Sequence, residues 1–163
     1  MGNELIHIGN TASVEETKRL ASALAKCLQA GDVVLLNGSL GAGKTHFVQG
    51  VAEALGISAP VTSPTFNILQ TYTGGSLVVN HFDLYRLESE IELDDIGYWE
   101  VLEDGGVALI EWGDKFPDQQ PDDFFEIVIT IGIDEVRSIK AQAHGARAEA
   151  LHACWAQGVG ELA

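Results

Sequence analysis

Eight consecutive residues, Gly38-Ser39-Leu40-Gly41-Ala42-Gly43-Lys44-Thr45, match the spacing G-x-x-x-x-G-K-[ST] at every specified position. Glycines at 38, 41 and 43 let the backbone curl without Cβ atoms in the way, so several N–H groups can converge on one anion. Lys44 then supplies a cation for β- and γ-phosphates, and the Thr45 hydroxyl is a suitable ligand for Mg2+. Ser39, Leu40, Gly41, Ala42, Gly43, Lys44 and Thr45 are therefore the candidate phosphate-binding residues. The plainer reading is a glycine-rich turn that happens to precede a lysine. The flanking residues decide between the two.

Before the loop, Val33-Val34-Leu35-Leu36 is an apolar, β-branched run of the kind that forms a buried parallel strand. After it, Phe47, Val48, Val51, Ala52 and Leu55 recur at helical spacing and Gly56 supplies a stop. Strand, glycine-rich turn and helix together favour a nucleoside triphosphate site, because the helix adds free N–H groups and the positive end of its dipole.

A phosphate loop becomes an NTPase only with a carboxylate that holds the magnesium shell or orients a water, usually at the end of a neighbouring strand. Two candidates stand out. Asp83 ends a strand interrupted by Asn80 and His81, and Glu111 ends the cleaner apolar run 107–110. A turn or capping carboxylate is the competing reading for either. His81 and Asp83 share one face of a strand, which suggests a hydrogen-bonded core histidine beside a metal-directed aspartate. The segment 58–65, with two prolines and four hydroxyl residues, cannot be regular helix. Leaving the helix that grips the phosphates, it is placed to act as a switch whose hydroxyls sense the γ-phosphate or metal.

The remaining elements read in order. Residues 4–8 suit a short first strand. Ser13 and Glu16 form a capping box for a helix carrying Leu20, Leu24, Cys27 and Leu28, ended by Gly31. Residues 66–72 and 77–82 read as a hairpin about Thr73-Gly74-Gly75-Ser76. Residues 88–103 read as short helices with an exposed acidic side, and 124–133 pairs with 137–143 through Asp134-Glu135. A short helix at 146–155 covers the sheet with Leu151 and Trp155. The expectation is one domain spanning 1–163, an α/β P-loop NTPase three-layer fold with a mixed, largely parallel central sheet.

Composition narrows the partners. Twenty-four acids against nine bases give a net charge of −15, and among the bases only Lys18-Arg19 are adjacent. Nucleic-acid binding relies on Lys and Arg neutralising phosphates, so direct tRNA or DNA binding by this chain is not expected. A basic protein partner suits it better. There is no apolar run of membrane-spanning length and no secretory start, so no membrane role and a cytoplasmic location are expected. Cys27 and Cys154 fall in predicted helices and read as small core residues; a disulfide between them stays open, and nothing suggests a disulfide scaffold.

Together, Gly38–Thr45, then Thr62-Ser63-Pro64-Thr65-Phe66, His81-Phe82-Asp83-Leu84-Tyr85-Arg86 and Ile110-Glu111-Trp112 occur in this order at compact spacing. The set resembles the bacterial TsaE (YjeE) family, the ATPase of tRNA threonylcarbamoyladenosine synthesis, over residues 15–133. That resemblance implies ATP and Mg2+ as ligands and the TsaB and TsaD proteins as partners. In that family the partners transfer threonylcarbamoyl to adenosine 37 of ANN-decoding tRNAs, while ATP hydrolysis supports multiple turnover. By the same resemblance Thr62 to Thr65 form the switch, Asp83 takes the Walker B position, Glu111 serves metal or water, and Trp112 lies beside the nucleotide. Lys44, Asp83 and Glu111 are the implied catalytic set, and Thr45, Asp83 and Glu111 the metal set. Two alternatives remain: a small-molecule kinase, for which only Arg86 and Lys115 lie near as lid cations, and a binding module gated by nucleotide without turnover. No N-K-x-D motif favours GTP; the preference for adenine follows from the resemblance.

Overall fold

The computed structural model describes residues 4–39 and 41–162. Among these, seven strands form one sheet: β1 (Ile6–Thr11), β2 (Val33–Asn37), β3 (Leu69–Tyr72), β4 (Val79–Asp83), β5 (Val107–Glu111), β6 (Phe124–Ile131) and β7 (Arg137–His144). The helices are α1 (Val14–Ala25), α2 (Lys44–Ala54), α3 (Glu90–Asp95), α4 (Tyr98–Glu103) and α5 (Ala146–Gly160). The strand order is β1-β7-β6-β2-β5-β4-β3. Its centre, β6-β2-β5-β4, is parallel, and the flanking strands β1, β7 and β3 are antiparallel. This is the mixed sheet of a three-layer P-loop fold.

The continuous apolar run in β2 is explained by burial on both faces. Val34 and Leu36 pack with residues of α1, α2 and α5, whereas Val33 and Leu35 pack with Leu93, Tyr98 and Leu102 of α3 and α4. β5 divides in the same way, Val107 and Leu109 to one core, Ala108 and Ile110 to the other. β6 instead alternates, burying Phe125, Ile127 and Ile129 and leaving its other face half-buried. Burial of both sheet faces holds the central strand ends rigidly, which is what a site built there needs.

Several boundaries differ from expectation for local reasons. The first strand is Ile6–Thr11, shifted toward the chain interior from 4–8, where its backbone pairs with β7. Ser13 Oγ accepts the Glu16 N–H at 3.1 Å, while Glu16 returns to the Ala12 N–H at 3.0 Å, one residue beyond the cap. Helix α1 ends at Ala25, so Cys27 and Leu28 lie in the following turn, although both stay buried. β3 begins at Leu69 rather than 66: Ile68 takes a left-handed φ of 68° and Phe66 is 85% exposed. α5 runs to Gly160, well beyond 155.

The cysteines are a correction. Cys27 is a buried core residue but Cys154 is exposed, and the two form the disulfide left open from the sequence, across 127 positions, where the turn after α1 meets α5. Beside it, the guanidinium of Arg147 in α5 donates to both carboxylate oxygens of buried Asp32 at 2.8 Å and to the Cys27 carbonyl at 2.9 Å. The side-chain hydrogen bond to Asp32 raises the Arg147 pKa further.

Candidate active site

The loop after β2 is shaped by what surrounds it. A Cβ on Gly38 would lie 2.5 Å from the Ile129 carbonyl oxygen of β6, so only glycine lets the chain leave the sheet there. Gly43 opens α2 at φ 107° with no side chain capping the helix, which leaves the first N–H groups of α2 free to meet an anion. A clamp not anticipated from the sequence holds the loop from outside. Arg137 of β7 donates from Nη2 to the Gly41 carbonyl at 3.0 Å and from Nε to the Ala42 carbonyl at 3.3 Å. A single arginine in an alternating strand carries no local signal for such a role. Ser39 is exposed and its carbonyl accepts the Ala42 N–H; Leu40 lies outside the described residues.

Lys44, at the first position of α2, is 5% exposed. Its Nζ donates to the Gly38 carbonyl at 2.7 Å and sits 3.7 Å from the centre of the Trp112 ring. Burial lowers its pKa from the ordinary lysine value, and the carboxylates of Glu111, Asp83 and Asp114 oppose that shift. Trp112 reaches this position because it turns off the end of β5 at φ 64°, a left-handed conformation that a non-glycine residue adopts at a cost of about 1–3 kcal/mol. Its ring also meets Tyr85 at 5.0 Å.

Register brings the two candidate carboxylates together. β4 and β5 are parallel neighbours with Asp83 opposite Glu111, and Leu36 of β2 opposes Glu111 on the other side. Both carboxylates are buried. Glu111 Oε2 accepts from the Thr45 hydroxyl at 3.2 Å and from His81 Nε2 at 2.6 Å. Asp83 Oδ2 accepts from the hydroxyls of Ser63 at 3.0 Å and Thr65 at 2.8 Å, and Oδ1 from the Tyr85 N–H. The hydroxyl-rich segment is thus fastened to the end of β4, and Gln49 of α2 holds it from behind through the Val61 carbonyl. Thr62 stands apart: its side chain is exposed and its N–H donates to the Tyr72 hydroxyl.

These groups line one open cleft of about 300 Å³, formed by Gly41, Gly43, Lys44, Thr45, His46, Ser63, Thr65, Asp83, Tyr85, Glu111 and Trp112. Among the described residues no group of three or more His, Cys, Asp or Glu could cage a metal ion by itself. Mg2+ at a P-loop does not need such a cage, since it keeps waters and takes phosphate oxygens with one or two protein ligands. One hydroxyl, Thr45, beside two carboxylates fits that demand. Of the residues predicted from sequence, Gly41, Gly43, Lys44, Thr45, Thr65, Asp83, Glu111 and Trp112 meet here, and Thr62 does not line the cleft. Ser63, Tyr85 and His46 join them.

The model of the family described as "Threonylcarbamoyl adenosine biosynthesis protein TsaE" matches residues 11–139. The chain is 44% identical over 141 residues to the tRNA threonylcarbamoyladenosine biosynthesis protein TsaE of Bacillus subtilis, covering 86% of this chain and 88% of the relative. It is 41% identical over 124 residues to the protein of that name from a Nostoc species, covering 74% and 76%. The crystal structure of Bacillus subtilis YdiB superimposes with a TM-score of 0.81 at 35% identity, over 95% of this chain and 97% of that one.

Proposed function

This chain belongs to the TsaE family of threonylcarbamoyl adenosine biosynthesis proteins, and from that premise we propose that it hydrolyses ATP with Mg2+ in the cleft at the ends of β2, β4 and β5. Its role is that of an accessory protein in threonylcarbamoyladenosine formation on tRNA, working with TsaB and TsaD in the cytoplasm. The observation that carries the catalytic reading is the meeting of Lys44 and Thr45 with Asp83 and Glu111, residues from three elements, in one cleft.

Each side chain has a task its position supports. The N–H groups opening α2 and the Lys44 ammonium hold the β- and γ-phosphates and favour the charge that develops on them. Thr45, Asp83 and Glu111 would hold magnesium, which would neutralise part of the phosphate charge. Thr45 can give an oxygen lone pair while its O–H still points to Glu111. Glu111 orients the attacking water. Asp83 anchors Ser63 and Thr65, so occupancy of the cleft is transmitted to residues 58–65. Trp112 covers Lys44 and flanks the nucleotide.

The test is phosphate release in the presence of the partner proteins. Glu111→Gln keeps shape and hydrogen-bonding reach but loses charge, so ATP binding survives while hydrolysis falls at least about tenfold, or about 1.4 kcal/mol of barrier. Unchanged release by Glu111→Gln beside a large loss in Asp83→Asn moves the water-orienting role to Asp83. A module gated by nucleotide alone binds ATP as tightly and releases no phosphate in either form. With its −15 charge and scattered bases, the isolated chain is expected to show no tight tRNA complex in filter binding near physiological salt. Tight, salt-sensitive retention contradicts the accessory role.

A further inference from the structure

His81 lies on the strand next to one edge of the sheet, and among the described residues its side chain has one hydrogen-bonding partner, Glu111. It is 0% exposed on β4, between the central strand β5 and the antiparallel strand β3. Its Nε2 lies 2.6 Å from Glu111 Oε2, and its Nδ1 has no hydrogen-bond partner among the described residues. An ionised carboxylate only accepts, so Nε2 is the donor of this contact and Nδ1 is a buried nitrogen left over on the other side of the ring. A histidine retained for packing alone would be better replaced by an apolar residue, because an unpaired buried nitrogen costs stability. What an apolar residue cannot do is donate to Glu111.

The consequence for Glu111 is orientational. Two donors, His81 from the neighbouring strand and Thr45 from the start of α2, converge on the same oxygen, Oε2. That fixes the rotation of the carboxylate about its terminal bond, a torsion that is otherwise broad. Oε1 is then the oxygen left for a water in the cleft. Thr45 alone is a weak anchor, since its hydroxyl can rotate and is itself a candidate metal ligand. His81 belongs to a strand paired on both edges and cannot follow such a change.

We propose that His81 is the positioning residue that holds Glu111 in its productive orientation, so that the β4 strand, and not only the phosphate loop, sets the geometry of hydrolysis. The inference rests on the reading of Glu111 as the water-orienting carboxylate. Groups held within a fraction of an ångström of productive geometry account for large rate factors, and loosening one lowers turnover more than binding.

The experiment uses the full chain with its partner proteins and compares His81→Leu, His81→Gln and His81→Asn, alone and combined with Glu111→Gln. Gln carries an amide N–H near the place of Nε2, whereas the shorter Asn does not reach it. Phosphate release, ATP affinity from tryptophan fluorescence and thermal midpoint are measured for each. Leu and Asn are expected to lower kcat about tenfold with ATP affinity within about threefold of wild type, and Gln to recover most of the loss. In the Glu111→Gln background none of the three lowers kcat further, because the two residues act as one unit. Losses that multiply with Glu111→Gln, or equal kcat for Gln and Asn, overturn the proposal. If His81→Leu does not fold, the contrast between the two amides decides. Normal turnover by Glu111→Gln alone instead refutes the reading on which the inference stands, so the two failures are distinct.

Discussion

Lys44→Ala is expected to lower partner-stimulated ATP hydrolysis at least about a hundredfold, the scale on which loss of one preorganised transition-state donor is felt. The lysine is the cation of a cleft that otherwise presents the carboxylates Glu111 and Asp83 to an incoming triphosphate. Its Nζ waits on the Gly38 carbonyl and over the Trp112 ring, both of which it can leave for phosphate oxygens without moving its backbone. Without it, negative groups face negative substrate, so affinity for ATP falls together with turnover. Alanine is the best helix former, and the lost stem lies at the first position of α2, so the fold is expected to persist. Phosphate release alongside circular dichroism checks both halves. A variant that is folded and turns over ATP at near-normal rate refutes the assignment of the cleft.

The largest effect on stability is expected at Trp155, which does not line the cleft and lies outside the segment matched by the family model. This side chain is 0% exposed, meets Phe47 of α2 and Phe125 of β6 edge to face at 5.9 and 5.7 Å, and donates its indole N–H to the Leu20 carbonyl at 2.9 Å. Four elements, α1, α2, β6 and α5, thus share one ring. Trp155→Ala should cost about 3–5 kcal/mol, since the surrounding helices and sheet cannot collapse onto so large a void. Trp155→Phe, which keeps an aromatic edge and loses the N–H, should cost distinctly less. Urea unfolding midpoints at fixed redox conditions measure both. A loss below about 1 kcal/mol for the alanine variant would show that α5 is a loosely attached cover. Because Phe47 lies one turn from Lys44, the same variant tests whether packing behind α2 supports the phosphate loop.

The parts of the site that were legible in the sequence are those whose partners lie nearby along the chain. Gly38 to Thr45 declares itself because a loop and the helix after it are continuous, and Asp83 and Glu111 are marked as strand ends by the apolar residues before them. Their adjacency is a matter of register between β4 and β5, to which local periodicity is blind. For the same reason His81 was legible as a hydrogen-bonded core histidine but its partner, 30 residues on, was not. Thr62 and Ser63 are equivalent as hydroxyl types, and only the path of the chain after Val61 turns Ser63 to Asp83 and Thr62 away. Phe66 has every property of a strand residue, yet the prolines before it and the left-handed turn at Ile68 delay the strand to Leu69. Arg137 and the cysteine pair depend on contacts across 95 and 127 positions, where no sequence pattern reaches.

The bond between Cys27 and Cys154 makes the molecule, topologically, a ring with two short tails. Every candidate site residue from Ser39 to Trp112 lies on the closed part. In the chain-entropy account such a closure removes conformations from the unfolded chain worth about 4–5 kcal/mol, an increment comparable to the whole stability of many domains. Where a reducing thiol pool opens the bond, that increment is absent. The fold then depends on the non-covalent clasp that the same helix makes, through Trp155, Leu151 and the Arg147–Asp32 pair. One polypeptide therefore has two topologies and two tolerances to unfolding.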